Sequence, residues 1–335
     1  MIDLLSDTLT KPTPAMLEAM FLAKVGDDVF GEDPTVNALE TKAAAMFGME
    51  AGLFCASGTM TNQIAISVHV HRGQEVICDQ LAHIYLYEGG GIMANAQASV
   101  NLLRGERGRF TAEAVQEAIQ PDNVHYPVTK LVALENTVNK GGGCYYTLSD
   151  IEKIYQVANN QGIPLHLDGA RIFNALVETG ERSQDYGKFF SSISICLSKG
   201  LGCPVGSVLV GSKGFIKEAR RVRKRFGGGW RQAGFLAAAG IYALDNNIDR
   251  LKDDHRRAKQ LGEILSQVPE IESILPVETN IVIFKSGNGI LSSDYVNTLA
   301  QKGIRAATFG KHQVRLVTHL DITDEHIEEF RKLML

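Results

Sequence analysis

Seven short, continuously apolar runs punctuate the first 212 residues: GLFCAS, EVICD, ASVNLL, KLVALEN, PLHLDGA, SISICLS and SVLVGS. Amphipathic segments such as TAEAVQEAIQ and SDIEKIYQVANNQG lie between several of them. A strand with one wet face alternates apolar and polar residues, whereas a strand covered on both faces can be apolar throughout. Continuous apolar runs alternating with helical patterns therefore predict an α/β fold, with a mainly parallel sheet between helices.

The pattern changes after about Gly229. Ile241, Leu244, Ile248, Leu251, Ala258 and Leu265 fall at helical spacing, giving one long helix or two in succession. Two strand-like runs follow, TNIVIF and HQVRLVTH. Thr323 then reads as the N-cap of a last helix, with Asp324 and Glu325 in its first turn. The expected division is an N-terminal arm at 1–15, a large domain at 16–244 and a small α+β domain at 245–335. The arm, with its irregular SDTLTKPTP, is expected to run along the surface.

With 335 residues, 44% of them hydrophobic, the chain can bury a large core. Its formal net charge of −4 is spread without long like-charge blocks, which argues against a nucleic-acid or membrane surface. The densest basic stretch, Arg220 to Arg225, is either a solvated helix face or a site for an anion. MIDLLSDTLTKP lacks a charged leader with an apolar core, and no run is long enough to span a bilayer. The five cysteines form no CxxC pair and are odd in number. Buried free thiols and a cytoplasmic location are expected.

The residues that carry chemistry cluster at strand ends. In PLHLDGAR, Leu165 and Leu167 face one side of a buried strand, while His166 and Asp168 face the other. Asp168 then lies at the carboxyl end of its strand, the edge where open α/β sheets bind ligands. A buried carboxylate needs a cation; Arg171 is one choice and a protonated heterocyclic nitrogen another. In SISICLSKGLG, Lys199 follows an apolar run among small residues. It is either a strand-end lysine reaching for solvent or a desolvated amine that attacks carbonyl carbons. Asp168 and Lys199 together suit pyridoxal 5'-phosphate (PLP), whose aldehyde bonds a lysine and whose ring nitrogen is held protonated by a carboxylate. Ser57, Gly58 and Thr59 follow a strand and open a helical pattern, an arrangement that accommodates a phosphate or is an ordinary cap. Arg231 and the basic run offer further charge to it. His83 and Tyr87, four apart, can share a helix face and stack on a flat ring, or serve as a core pair. Arg315, inside an apolar strand pattern, suits a carboxylate ligand or an internal acid.

These segments together resemble the L-threonine aldolases, PLP enzymes of fold type I within the β-eliminating lyase group. The resemblance runs from end to end: SDT at 6–8, GDDVFGEDPTVNALE, SGTMTNQIA, HIYLYEGGG, LENTVN, LHLDGARIFNA, ICLSKGLGCPVGS, GGGWRQAG and RLVTHLD. It implies Lys199 as the Schiff-base lysine, Asp168 as partner of the ring nitrogen and His83 as the stacking group. Gly58 and Thr59 are implied at the phosphate, with Arg231 coming from a neighbouring subunit. Ser6, Arg171 and Arg315 are implied at the substrate carboxylate, with Arg171 also beside the cofactor. His125 is implied near the substrate hydroxyl and Tyr87 in the pocket wall. No metal is implied. The activity implied is cleavage of threonine or allo-threonine to glycine and acetaldehyde by a homotetramer, with a dimer as its minimal unit. Leu5, Phe30 and Val138 depart from the arginine, tyrosine and histidine common at these positions. Within the same scaffold, β-elimination or transamination is the alternative reaction. A dinucleotide-binding protein would require GxGxxG after the first strand, and none is present.

Overall fold

A computed structural model describes all 335 residues. The seven apolar runs are the seven strands of one sheet. Its order is Ala51–Cys55, Ser207–Gly211, Ser192–Cys196, Leu165–Gly169, Val128–Glu135, Gln74–Asp79, Ser99–Leu103. Only Ser207–Gly211 runs against its two neighbours; the remaining pairs are parallel.

Side-chain alternation assigns each strand residue to a face. Val132, Leu134, Leu165, Leu167, Ile193 and Ile195 enter the main core under the helices Pro34–Met46, Ile172–Thr179 and Gly234–Asn246. The opposite parity, including Leu131, Ala133 and Leu209, packs towards the helices Gly58–His69, Gly91–Ala96 and Lys213–Arg225. Glu135, His166, Asp168 and Ser192 share that second parity. They are polar residues buried in an otherwise apolar layer, and a core tolerates such groups only when they are hydrogen-bonded.

The C-terminal part holds a four-stranded antiparallel sheet, ordered Ala307–Thr308, Gln313–Val317, Ile281–Ser286, Ile271–Ile274. The helical pattern after Gly229 resolves into two helices, Gly234–Asn246 and Leu251–Leu265. The first packs wholly on the large core. The second begins there at Leu251 and enters the smaller core at Ala258. Thr323 caps the final helix, accepting from the His326 N–H.

The first residues differ from the expected surface arm. Ile2 and Asp3 pair in parallel with Ile304 and Arg305, and Ile2 and Leu4 are buried in the small core. The cause is local: two apolar side chains two apart fit one face of a strand, and the edge beside Ile304 satisfies their backbone groups. The chain then crosses back to the large domain, where Asp7 is fully buried. This crossing brings Ser6 to the carboxyl edge of the large sheet.

Candidate active site

Asp168 sits at the end of Leu165–Gly169 and is 3% exposed. Its Oδ2 accepts from Asn62 Nδ2 at 3.0 Å and its Oδ1 from the Ala170 N–H at 3.2 Å. It has no ion-pair partner. The sequence neighbour Arg171 turns away and closes on Asp7, with Nε and Nη2 donating to the two carboxylate oxygens at 2.6 and 2.7 Å. Burial raises the Asp7 pKa, but the guanidinium outweighs it and holds the group at about 2. Asp168 therefore has no cation bonded to it within the chain, which leaves room for a protonated ring nitrogen.

Lys199 lies in the turn after Ser192–Cys196 and is half-buried. The turn closes by a bond from the Gly202 N–H to the Lys199 carbonyl, 2.8 Å, and needs φ of +80° at Gly202. The Lys199 amine makes no ion pair; the nearby Asp7 is already bonded to Arg171.

The helix Gly58–His69 points its N-terminus at this edge. The Ser57 hydroxyl oxygen caps it, accepting from the Met60 N–H at 3.1 Å. The N–H groups of Gly58 and Thr59 have no partner within the chain, and the Ser207 hydroxyl beside Gly58 is buried and unpaired. Free N–H groups at a helix start suit a phosphate dianion. Arg231 does not reach this loop from its own chain. It points outward, 60% exposed, and pairs with Asp27 at 2.9 Å. The basic run is also committed elsewhere: Arg220 pairs with Glu40, and Arg223 donates to Asp28 and to the Phe54 carbonyl, both at 2.7 Å. Its role is structural, because those acids would otherwise be buried without a counter-charge.

His83 starts the short helix His83–Leu86. Its backbone N–H donates to Glu135 Oε2 at 2.8 Å, and its Nδ1 lies 3.0 Å from Glu88 Oε1. Burial disfavours its charged form. The Glu88 hydrogen bond and the charges of Asp168, Glu88 and Glu135 outweigh this and lift its pKa. One ligand atom each from His83, Glu88 and Asp168 lies within 4.8 Å of the others, so the imidazole stands beside the Asp168 site. Tyr87 is 5.6 Å from it, centroid to centroid, and half-exposed.

Arg315 comes from the small domain. Nη1 donates to Asn139 Oδ1 at 2.8 Å and Nη2 to the Leu5 carbonyl at 3.2 Å, while the buried Nε has no partner. Burial and the neighbouring Arg171 pull its pKa down to about 10. A cation bonded to no carboxylate is prepared for an incoming anion. Ser6 caps the turn Asp7–Leu9 and accepts from the Thr8 N–H and hydroxyl. Within one chain the structure thus brings together Ser6, Ser57, Gly58, Thr59, His83, Tyr87, Asp168, Arg171, Lys199 and Arg315. It leaves out Arg231 and His125. His125 is exposed on the loop before Val128–Glu135, at the opposite end of that strand from Glu135, roughly 25 Å away at ~3.3 Å per residue.

Residues 3–286 match the family model described as β-eliminating lyase. The chain belongs to the β-eliminating lyase family. This lyase is 43% identical to the low-specificity L-threonine aldolase of Escherichia coli K12, over 98% of this chain and 97% of that protein. It is 42% identical to low-specificity L-threonine aldolase 1 of Arabidopsis thaliana, over 97% and 93%. Its fold matches a Leishmania major threonine aldolase with TM-score 0.85 at 21% identity, covering 100% of this chain and 98% of that one.

Several site residues of this lyase escaped the sequence reading: Asp7, Asn62, Glu88, Glu135 and Asn139. All lie inside or beside segments singled out above. Asn62 carried a signal, an amide in the middle of an apolar helix, where such residues otherwise compete with the backbone. Glu135 closing an apolar strand was another, because buried acids are rare unless paired. Its burial and the adjacent Asp168 raise its pKa to about 7.

Proposed function

We propose that this lyase cleaves the Cα–Cβ bond of L-threonine and L-allo-threonine, giving glycine and acetaldehyde, with PLP held at Lys199. The observation that carries the cofactor is the Asp168 carboxylate, buried without a cation beside a half-buried lysine and an open helix N-terminus. The choice of reaction rests on the names of the relatives.

Bound there, PLP supplies the electron sink that makes a bond at Cα breakable. Asp168 would face the ring nitrogen, and Asn62 and the Ala170 N–H hold that carboxylate in place. Gly58 and Thr59 hold the phosphate with their N–H groups, assisted by Ser57 and by the partner subunit's Arg231. Arg315, the free edge of Arg171 and Ser6 grip the substrate carboxylate. That grip would fix how the substrate is oriented, and with it which bond at Cα is exposed to cleavage. With its Nδ1 bonded to Glu88, His83 has only Nε2 for the substrate hydroxyl or for a water bridging to it. His83 and His125 share removal of the hydroxyl proton, each chain's His125 serving another copy's site. The assembly is a homotetramer with a dimer as its minimal unit. Five buried free thiols fit a reducing compartment, and we place the protein in the cytoplasm, in threonine breakdown and glycine formation. No helix is long and apolar enough to cross a membrane.

The test is to incubate the chain with PLP and either threonine isomer and to identify products. Glycine and acetaldehyde in equal amounts are expected, with a visible absorbance band that Lys199→Ala abolishes. A 2-oxo acid with ammonia would replace this reading by β-elimination. A chain that gains no band with PLP would remove the cofactor assignment.

A further inference from the structure

Behind Asp168 the polar side chains form one file through the protein. Asn62 Nδ2 donates to Asp168 Oδ2 at 3.0 Å and to Glu88 Oε1 at 2.9 Å. Asn62 Oδ1 is 3.1 Å from His166 Nε2. His166 Nδ1 is 2.8 Å from Ser192 Oγ, which is 2.9 Å from His69 Nε2. Asn62, His166 and Ser192 are buried. His69 ends the file, partly exposed and stacked on Phe215 with centroids 4.7 Å apart. The strands set this up: His166 lies two residues before Asp168 on the same face, and Ser192 is its register partner on the next strand.

Chemistry fixes the direction of every bond. Ionised carboxylates only accept, so the Asn62 nitrogen faces Asp168 and Glu88, and both its protons are used. Its oxygen then faces His166 and must receive a proton from Nε2–H. Burial, with His69 nearby, pushes the His166 pKa down to about 3, so the ring is neutral and Nδ1 is bare. The Ser192 hydroxyl must donate to that Nδ1. Ser192 Oγ can then only accept, and His69 Nε2–H donates to it. All five bonds point towards the two carboxylates, and aligned hydrogen bonds polarise one another.

We propose that His69, Ser192 and His166 are positioning residues for Asp168, acting through Asn62 as a one-way hydrogen-bonded relay that holds the carboxylate aimed at the ring nitrogen. The relay orients and polarises; it does not conduct protons, because the Asn62 amide neither gains nor gives up a proton at neutral pH. The proposal rests on Asp168 being the ring-nitrogen partner of PLP.

Two measurements on the full-length chain test it. The first is nitrogen-15 NMR of the imidazoles, with and without PLP. His166 and His69 are expected as neutral Nε2–H tautomers at neutral pH; a His166 carrying its proton on Nδ1, or on both nitrogens, overturns the relay. The second is PLP affinity by equilibrium titration. Outer partners of ligating groups typically contribute about tenfold or more, so His166→Leu is expected to weaken PLP by about tenfold. His166→Gln, which keeps a donor towards Asn62, is expected to stay close to wild type. Equal losses in both variants would mean that ring shape matters and not hydrogen bonding, and wild-type affinity in His166→Leu would equally overturn the relay. If His166→Leu fails to fold, Ser192→Ala breaks the file one bond further out and is expected to weaken PLP in the same direction; unchanged affinity there overturns it. A wild-type chain that binds no PLP takes down the functional reading and the relay together, whereas a failed variant series with PLP bound takes down the relay alone.

Discussion

Arg171 follows Asp168 by three residues, yet its guanidinium bonds Asp7, 164 positions away. The consequence is chemical, because a cation on Asp168 would leave nothing for a ring nitrogen to answer. Asp7 also has a measurable acid signature. Its folded pKa of about 2 lies below the ordinary ~3.9 of an unfolded aspartate. The stabilisation is therefore complete above about pH 4 and is lost as pH falls towards about 2. Breaking a buried pair from one side costs about 3–5 kcal/mol. Asp7→Asn should thus unfold more easily in urea near neutral pH by that amount, with the gap to wild type closing as the solution is acidified below about pH 4. A gap that does not change with pH would contradict this account. Arg315 makes a second prediction. Lysine cannot reproduce a fork-shaped grip on a carboxylate. Arg315→Lys should raise KM for threonine by about tenfold, the size of one charge-assisted hydrogen bond, while leaving PLP affinity unchanged. Steady-state kinetics beside a PLP titration will check both.

At the scale of elements, the helix Gly58–His69 serves the site at two points. Its first turn presents free N–H groups, and one turn later it projects Asn62 between Asp168 and Glu88. Substitution can separate fold from cofactor binding here. A methyl group at Gly58 would meet only the Ser207 hydroxyl, at 3.7 Å. Gly58→Ala should therefore leave the melting of the PLP-free chain within about 0.5 kcal/mol, as surface changes usually do, and weaken PLP by filling the phosphate cradle. Gly169, the residue after Asp168, is the contrast. A methyl group there would lie 2.4 Å from the Ser194 carbonyl oxygen, so Gly169→Ala should lower the melting temperature whether or not PLP is present. Differential scanning calorimetry of both variants tests the pair. Equal destabilisation would show that the helix start does not tolerate the methyl group.

The whole molecule leaves apolar surface uncovered. Leu17, Phe21, Leu22, Val25 and Phe30 are exposed along one stretch, Phe21 by 83%. Exposed apolar clusters of this kind mark contact sites, and Arg231, facing outward near Asp27, belongs to the same surface region. An exposed ion pair contributes little to folding, about 0–1 kcal/mol. Arg231→Ala should therefore fold normally and, if Arg231 serves another copy's site as proposed, still bind PLP less tightly. Phe21→Asp should shift the particle mass by light scattering towards smaller species and lower PLP affinity together. A wild-type chain that is monomeric with full PLP affinity would overturn the shared-site arrangement.

The large sheet was legible because all its strands except the edge strand Ser99–Leu103 are covered on both faces, which leaves short, continuous apolar runs between helical patterns. Asp168, Lys199 and Arg315 stood out for the same reason, as charges in apolar surroundings. The small domain was less legible: Ile271–Ile274 is half-exposed, and pairs as short as Ile2–Asp3 have no period to read. The partners of the charges were beyond the sequence altogether. Whether Arg171 answers Asp168 or Asp7, and whether His83 leans on Glu88, depends on groups brought together from distant segments, and nothing in local spacing encodes that. The sequence by itself determined the sheet, its faces and the charged residues at its carboxyl edge, because burial and alternation are local properties. Only the tertiary structure decided which acid each base neutralises, and so which carboxylate was left with room for a cofactor.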